Sequence, residues 1–427
     1  MQEGCGSRDD ELAALREFVA DPAKLPAAEA LLAMIKKHSP RAAPTEEEIL
    51  AELPPSHLEH LLTAEEASEF EKNGFLLLPS ALPPAKAREM QETFDDLEST
   101  FRPKLDLNIH ERLNLLDCLA LDERLLELTD WAATFPKVWG IMGWHISLYI
   151  AQCTAYPATA ERGEPEMTRA QRQRPETGSA GAPPPKSTHI WHRDSGKFFS
   201  HLRDEGGQDS GHEPRVSLKV AFALSEMDER TGVKQRYFLD LFAAISLILR
   251  ASLLQLQFIP GTHLGQGMVG SMMHIPAEVG TAGTGAESEW WDKEWGNPPT
   301  AIGIPMKPGD AAIFDRRLFH SEPLNPYVGS PSRRMVFLGY SHRWLRPRDE
   351  MSALGQFGHR CGAIRRQLLG AGPSGGTGYT SPQPEDVPLR DWVRHYFGEE
   401  GLSLLARNVP LTADRLQRDD AGVAAKL

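Results

Sequence analysis

Apolar residues recur along this chain with two different periods, and the changes of period mark out its elements. Leu12, Leu15, Phe18 and Val19, then Leu31, Leu32 and Ile35, fall at helical spacing. Pro26, Pro40, Pro44 and the pair Pro54-Pro55 interrupt them, so residues 9–61 read as short amphipathic helices. A longer amphipathic helix is predicted over 84–101, suited to the outside of a sheet. From Ile146 to Tyr156 the pattern changes to β-branched and aromatic residues, the composition of a strand. Met306-Lys307-Pro308-Gly309-Asp310 reads as a tight turn and Ala311-Ala312-Ile313-Phe314 as a short buried strand. A last helix is predicted over Leu389 to Leu405, after a Gly/Pro/Ser-rich linker at 371–387.

Two stretches fit neither period. Residues 157–186 are rich in Arg, Glu, Gly and Pro and end in Pro183-Pro184-Pro185, with too little apolar content to order themselves. They read as a disordered insertion. Residues 234–257 are the reverse, apolar nearly all round, with Phe238, Leu241, Phe242, Ile245, Leu249 and Leu253 among them. The nine uncharged residues between Asp240 and Arg250 fall short of the ~20 that a membrane span needs. The stretch reads as an insertion foreign to the fold, with a buried helix as the alternative.

At 427 residues, 41% hydrophobic and 25% charged, the composition is that of a soluble globular protein. A formal charge of −13, with no dense Lys/Arg run, argues against a nucleic-acid surface. Cys5, Cys118, Cys153 and Cys361 are too scattered to form a metal-type pair and read as thiols in a reducing compartment. The polar, acidic first ten residues do not have the character of a signal or transit peptide. At the other end, Ala425-Lys426-Leu427 is close to the Ser-Lys-Leu peroxisomal address, which an import receptor would read.

The candidate chemistry begins at Trp191-His192-Arg193-Asp194-Ser195-Gly196. In an extended strand alternate side chains share a face, so the His192 imidazole and the Asp194 carboxylate point the same way. His189 stands three residues earlier, on the opposite face, and makes a poor partner for a zinc pair. A third ligand is available at His320, which closes the run Asp315-Arg316-Arg317-Leu318-Phe319-His320 after the Gly309-Asp310 turn. Its rivals are His263, His274 and His342. Two histidines and one carboxylate leave half of an octahedral iron open, the facial arrangement of non-haem Fe(II) oxygenases.

The order of these parts resembles the phytanoyl-CoA dioxygenase family of Fe(II)/2-oxoglutarate-dependent oxygenases, over roughly residues 63–347. Leu62-Thr63-Ala64-Glu65-Glu66 and the run from Phe70 to Pro79 look like the family's opening helix and first strand. Val216 to Leu224 resembles a core strand, and Pro260-Gly261-Thr262-His263 the family's Pro-Gly-Ser-His turn. Asn325 follows His320 by five residues, as it often does in the family. Ser332 to Tyr340 resembles the strand that carries the co-substrate arginine.

That resemblance implies a mainly β fold with flanking helices, a double-stranded β-helix (jelly roll, cupin-like). It spans residues 62–347, between an accessory helical region at 1–61 and a linker, helix and tail at 348–427. It also implies Fe(II), 2-oxoglutarate and O₂, with His192, Asp194 and His320 as the metal ligands, and hydroxylation of a small organic substrate such as a fatty acyl-CoA. The distal carboxylate of 2-oxoglutarate needs a buried cation, best supplied by a guanidinium fork. Arg333 is the first choice and Arg334 the second, since neighbours in a strand face opposite ways. A carboxylate at 194 argues against a halogenase, which has a small residue there. A non-catalytic cupin-like binding protein and a zinc hydrolase using the same three ligands are the alternatives. No nucleic acid and no membrane span are expected.

Overall fold

Two antiparallel sheets organise the chain in a computed structural model that describes residues 44–109, 111–156, 192–194, 214–225, 256–264, 302–321, 332–371 and 386–417. The described residues open with helix α1 (Glu46–Glu52), where Thr45 and Glu48 form a reciprocal cap. Helix α2 (Ala64–Asn73) starts the same way on Thr63 and Glu66. It stops at Gly74, whose positive φ of 84° suits a residue without Cβ. Strand β1 (Phe75–Leu78) follows, then helix α3 (Pro84–Lys104), strand β2 (Leu113–Leu116), helix α4 (Phe135–Met142) and strand β3 (Ile146–Tyr156). The later strands are β4 (Ser217–Ala223), β5 (Leu256–Phe258), β6 (Ile302–Ile304), β7 (Ala311–Asp315), β8 (His320–Ser321) and β9 (Arg333–His342). Helices α5 (Ser352–Phe357), α6 (Ala363–Leu368) and α7 (Pro388–Ala406) complete the unit.

The large sheet has the order β1-β7-β4-β9-β3-β2 and the small one β6-β5-β8. A bridge between His192 and His320 extends the small sheet beyond β8. In chain order, β3 lies in the large sheet, His192 against the small one, β4 in the large, β5 and β6 in the small, β7 in the large, β8 in the small and β9 in the large. That alternation is the winding of a double-stranded β-helix, the fold class that the sequence predicts.

Strand alternation divides the core in two. Leu218, Val220 and Phe222 of β4 and Val336, Leu338 and Tyr340 of β9 face outward. There they join Phe94 of α3, Phe135 and Trp139 of α4, and Trp392 and Phe397 of α7 in one buried cluster. Ala221 and Ala223, with Met335 and Phe337, face inward and meet Phe258 of β5, Ile304 of β6 and Phe314 of β7 in a second, smaller cluster. The large sheet is therefore covered on both faces, which is why its strands read as nearly continuous apolar runs.

A compact unit starts at Thr45, and Ile49, Leu53, Leu58 and Leu61 are buried in its outer cluster. Leu256 and Gln257, expected inside the apolar insertion, form part of β5. The helix predicted over 389–405 is present, but Gly398 breaks it with φ 63° and ψ −170°. The helices expected before Pro44, the stretch 157–186, residues 234–255 and the tail Ala425-Lys426-Leu427 lie outside the described residues, as does most of the 371–387 linker. Among the described residues no helix is long and apolar enough to cross a membrane.

Candidate metal centre

His192, Asp194 and His320, far apart in sequence, meet at one end of the inner cluster. The backbone brings them together. The His192 amide donates to the His320 carbonyl at 2.9 Å, the His320 amide donates back at 3.0 Å, and the Asp194 amide donates to the Arg316 carbonyl at 3.0 Å. Each of the three offers one ligand atom within 4.8 Å of the others. His192 Nε2 lies 4.0 Å from Asp194 Oδ1, and His320 Nε2 lies 3.6 Å from Asp194 Oδ2. The two imidazole rings are 4.2 Å apart, centre to centre.

His320 is set up as a neutral ligand. Its Nδ1 lies 2.9 Å from the Leu318 carbonyl, which can only accept. The proton therefore belongs on Nδ1, and the Nε2 lone pair faces Asp194. Burial first, and His192 beside it, push its pKa down to about 4, so the ring is uncharged at neutral pH. For Asp194, burial opposes the charge, but the Lys219 ammonium, then His320 and His192, hold the carboxyl well below the usual range. Two imidazoles, with that of His320 held neutral, and one ionised carboxylate are the donor set of the facial iron site, so the residues present fit a divalent metal ion.

The turn that delivers His320 is braced from two sides. Asp315, fully buried at the end of β7, accepts from the Arg317 amide at 2.9 Å and from Arg317 Nη2 at 2.6 Å. Arg215 adds a contact to it at 2.8 Å and also clasps Glu71. Burial works against this carboxylate as well, but Arg317 and then Arg215 keep it ionised. On the other side, the Thr262 hydroxyl donates to the Ile259 carbonyl at 2.7 Å and accepts from the Phe319 amide at 3.0 Å. The Thr262 carbonyl accepts from Arg193 Nη2 at 2.6 Å. One turn thus holds the residue before His320 and the residue between His192 and Asp194.

The rival histidines go elsewhere. His263 Nε2 lies 3.1 Å from the Glu71 carbonyl, and its ring fills the space beside Gly74, where a Cβ would come within 2.5 Å of Nδ1. His342 stacks on Trp344. His189, His274 and Asn325 lie outside the described residues.

Strand alternation also separates the two arginines. Arg333 shares the inward face of β9 with Met335 and Phe337, is 3% exposed, and lies 4.4 Å from the centre of the Tyr156 ring. Arg112 approaches the same ring at 4.3 Å. Arg334 faces outward and pairs with Asp95 at 2.6 Å and Glu98 at 2.7 Å, both on α3.

Two further side chains complete this site. Lys219, which in the core strand suits either an anionic substrate or a half-buried strand position, has its ammonium 2.6 Å from Asp194 Oδ2. The signal was a charge in Leu218-Lys219-Val220-Ala221-Phe222, a strand with apolar residues on both faces. Tyr149, on β3, packs over Gly339, where a Cβ would lie 2.5 Å from its ring. Burial raises the pKa of its phenol, and Lys219 and Asp194 are among its neighbours. No local pattern marks it.

No family model matches the chain, and no curated protein matches it in sequence. Among solved structures it is similar to HygX from Streptomyces hygroscopicus with nickel and 2-oxoglutarate bound, at 13% identity and a TM-score of 0.40, over 67% of this chain and 90% of that one. It is also similar to the epimerase SnoN in complex with Fe3+, alpha-ketoglutarate and nogalamycin RO, at 15% identity and a TM-score of 0.34, over 69% of this chain and 88% of that one.

Proposed function

We propose that the protein is an Fe(II)/2-oxoglutarate-dependent dioxygenase that hydroxylates a small organic substrate. The observation that carries this reading is the convergence of His192, Asp194 and His320, whose ligand atoms lie within 4.8 Å of one another. Those three residues would hold the iron. When bound, the iron supplies oxidative chemistry driven by decarboxylation of 2-oxoglutarate.

The residues of the chain prepare that chemistry. The hydrogen bond to the Leu318 carbonyl keeps His320 in the tautomer a metal needs. Arg333 takes the distal carboxylate of 2-oxoglutarate, from an inward-facing, buried position that favours a charge-assisted fork. Phe258, Phe314, Met335 and Phe337 keep the interior apolar, which strengthens that charge pairing.

The resemblance to the phytanoyl-CoA dioxygenase family favours a fatty acyl-CoA or a related metabolite as substrate, and the Ala-Lys-Leu tail favours delivery to the peroxisome. The test is anaerobic loading with Fe(II) and 2-oxoglutarate, admission of O₂, and assay of succinate and O₂ uptake across candidate substrates. Substrate-stimulated succinate release is the expected result. Activity with Zn(II) and no O₂ uptake would instead identify a hydrolase.

A further inference from the structure

We infer that Lys219 is a positioning residue for this centre: it holds Asp194 to a single metal-facing oxygen and offsets the charge of the co-substrate carboxylate that would bind beside it. The inference rests on the reading of the site given above. It begins from placement. Lys219 lies on the inward face of β4, two residues before Ala221, in a strand whose every residue is buried. Its side chain is only 9% exposed, and its ammonium sits 2.6 Å from Asp194 Oδ2. A lysine in such a place is costly unless its charge is compensated, and here the compensating group is a proposed metal ligand.

Two consequences follow from that pairing. The first is coordination number. Two histidines and one carboxylate oxygen fill half of an octahedron, and a 2-oxoacid chelating through two atoms leaves one position open. A carboxylate bound through both oxygens would close that position. Oδ2 lies 3.6 Å from His320 Nε2 but has the Lys219 ammonium at 2.6 Å, whereas Oδ1, 4.0 Å from His192 Nε2, has no such competing cation among the described residues and is the oxygen assigned to the metal. The second is charge. Arg333 answers the distal carboxylate of 2-oxoglutarate, but the 2-oxoacid end would bring a second carboxylate beside Asp194 in a buried space, and the Lys219 ammonium offsets that local negative charge. The same ammonium repels the metal ion and competes with it for Asp194.

Lys219 should therefore affect the two ligands with opposite signs. Lys219→Met keeps the length of the side chain and removes the charge. Mn(II) serves as a redox-stable probe, titrated calorimetrically into the metal-free protein, followed by 2-oxoglutarate titrated into the Mn(II)-loaded protein without oxygen. The variant should bind Mn(II) about tenfold more tightly and 2-oxoglutarate at least about tenfold more weakly. Lys219→Arg, which restores the charge, should recover 2-oxoglutarate binding. If Lys219→Met fails to fold, Lys219→Gln set against Lys219→Arg gives the same comparison.

A merely structural lysine would weaken both ligands together, and that result, or unchanged 2-oxoglutarate binding, overturns the inference while leaving the iron site intact. Wild-type protein that binds no Mn(II) overturns the reading of the site itself, and this role for Lys219 with it.

Discussion

The two faces of the large sheet are buried almost equally, yet they enclose different chemistry. On the outer face the cluster is aromatic and aliphatic. Trp139 meets Trp392 at 5.6 Å and Phe397 at 5.8 Å, both edge-on, and the polar Arg334 sits at the margin with acidic partners from α3. On the inner face a smaller apolar cluster shares its space with Lys219, Arg333 and His320, which are 7%, 3% and 2% exposed. Charges in a low-dielectric interior add little net stability even when paired, because desolvation offsets most of the attraction. The comparison therefore separates a region that holds the fold from one where the proposed ligands would bind.

The sharpest way to break that separation is to remove a ligand. His320→Ala should bring 2-oxoglutarate turnover to background, while the thermal midpoint shifts by no more than about 3 °C, since little apolar packing is lost. A large drop in midpoint would mean that the inner face holds the fold after all. The converse variant, Trp139→Ala, should cost about 3–5 kcal/mol in urea unfolding. Protein that remains folded should still bind one metal ion per chain.

Between the two regions stands Asp315, at the end of β7, with Arg215 and Arg317 closed around it. Asp315→Asn leaves Arg317 without its carboxylate and Arg215 with Glu71 alone, and should cost roughly 3 kcal/mol at pH 7. The sign with pH is fixed by the direction of its shift. A carboxylate held below its unfolded value, near ~3.9, contributes stability that is present above that pH and is lost as the pH falls below it. Urea midpoints should therefore fall more steeply below about pH 4 for the wild type than for Asp315→Asn. Parallel curves would show that the pair does not bear on the fold.

The β-rich fold was legible in the sequence from its apolar patterning, whereas the grouping of His320 with His192 and Asp194 entered only as what the family resemblance implied. His192 and Asp194 share a strand face by count alone, and the strand at 311–314 and the helix at 84–101 carry their own apolar repeats. What was not legible depends on register between distant strands. Lys219 lies opposite Gly339 and Phe314, and nothing local shows that this end of β4 comes against Asp194. Ile49, Leu53 and Leu58 likewise join the outer cluster by packing between distant segments, which no local repeat shows.

Arg333 and Arg334 make the same comparison within one strand. Arg333→Ala should raise the 2-oxoglutarate KM ten- to about a hundredfold, the worth of one charge-assisted pair. Arg334→Ala should leave KM unchanged and lower stability by under about 1 kcal/mol, since Asp95 is largely exposed. A larger KM effect from Arg334 would reverse the assignment of faces to functions.

The smallest effect expected is also the most diagnostic of how the inner face is supported. Thr262 is neither apolar core nor ligand, but its hydroxyl and carbonyl reach both ligand-bearing segments. Thr262→Val preserves shape and leaves the buried Phe319 amide without its acceptor, at a cost of about 1 kcal/mol. The same change loosens the residue before His320, so metal affinity should fall about tenfold, as it does when partners behind a ligand are lost. Thr262→Ser, which keeps the hydroxyl, should restore affinity even if it restores stability only in part. That divergence is the informative outcome, because a turn that served only packing would move both quantities together.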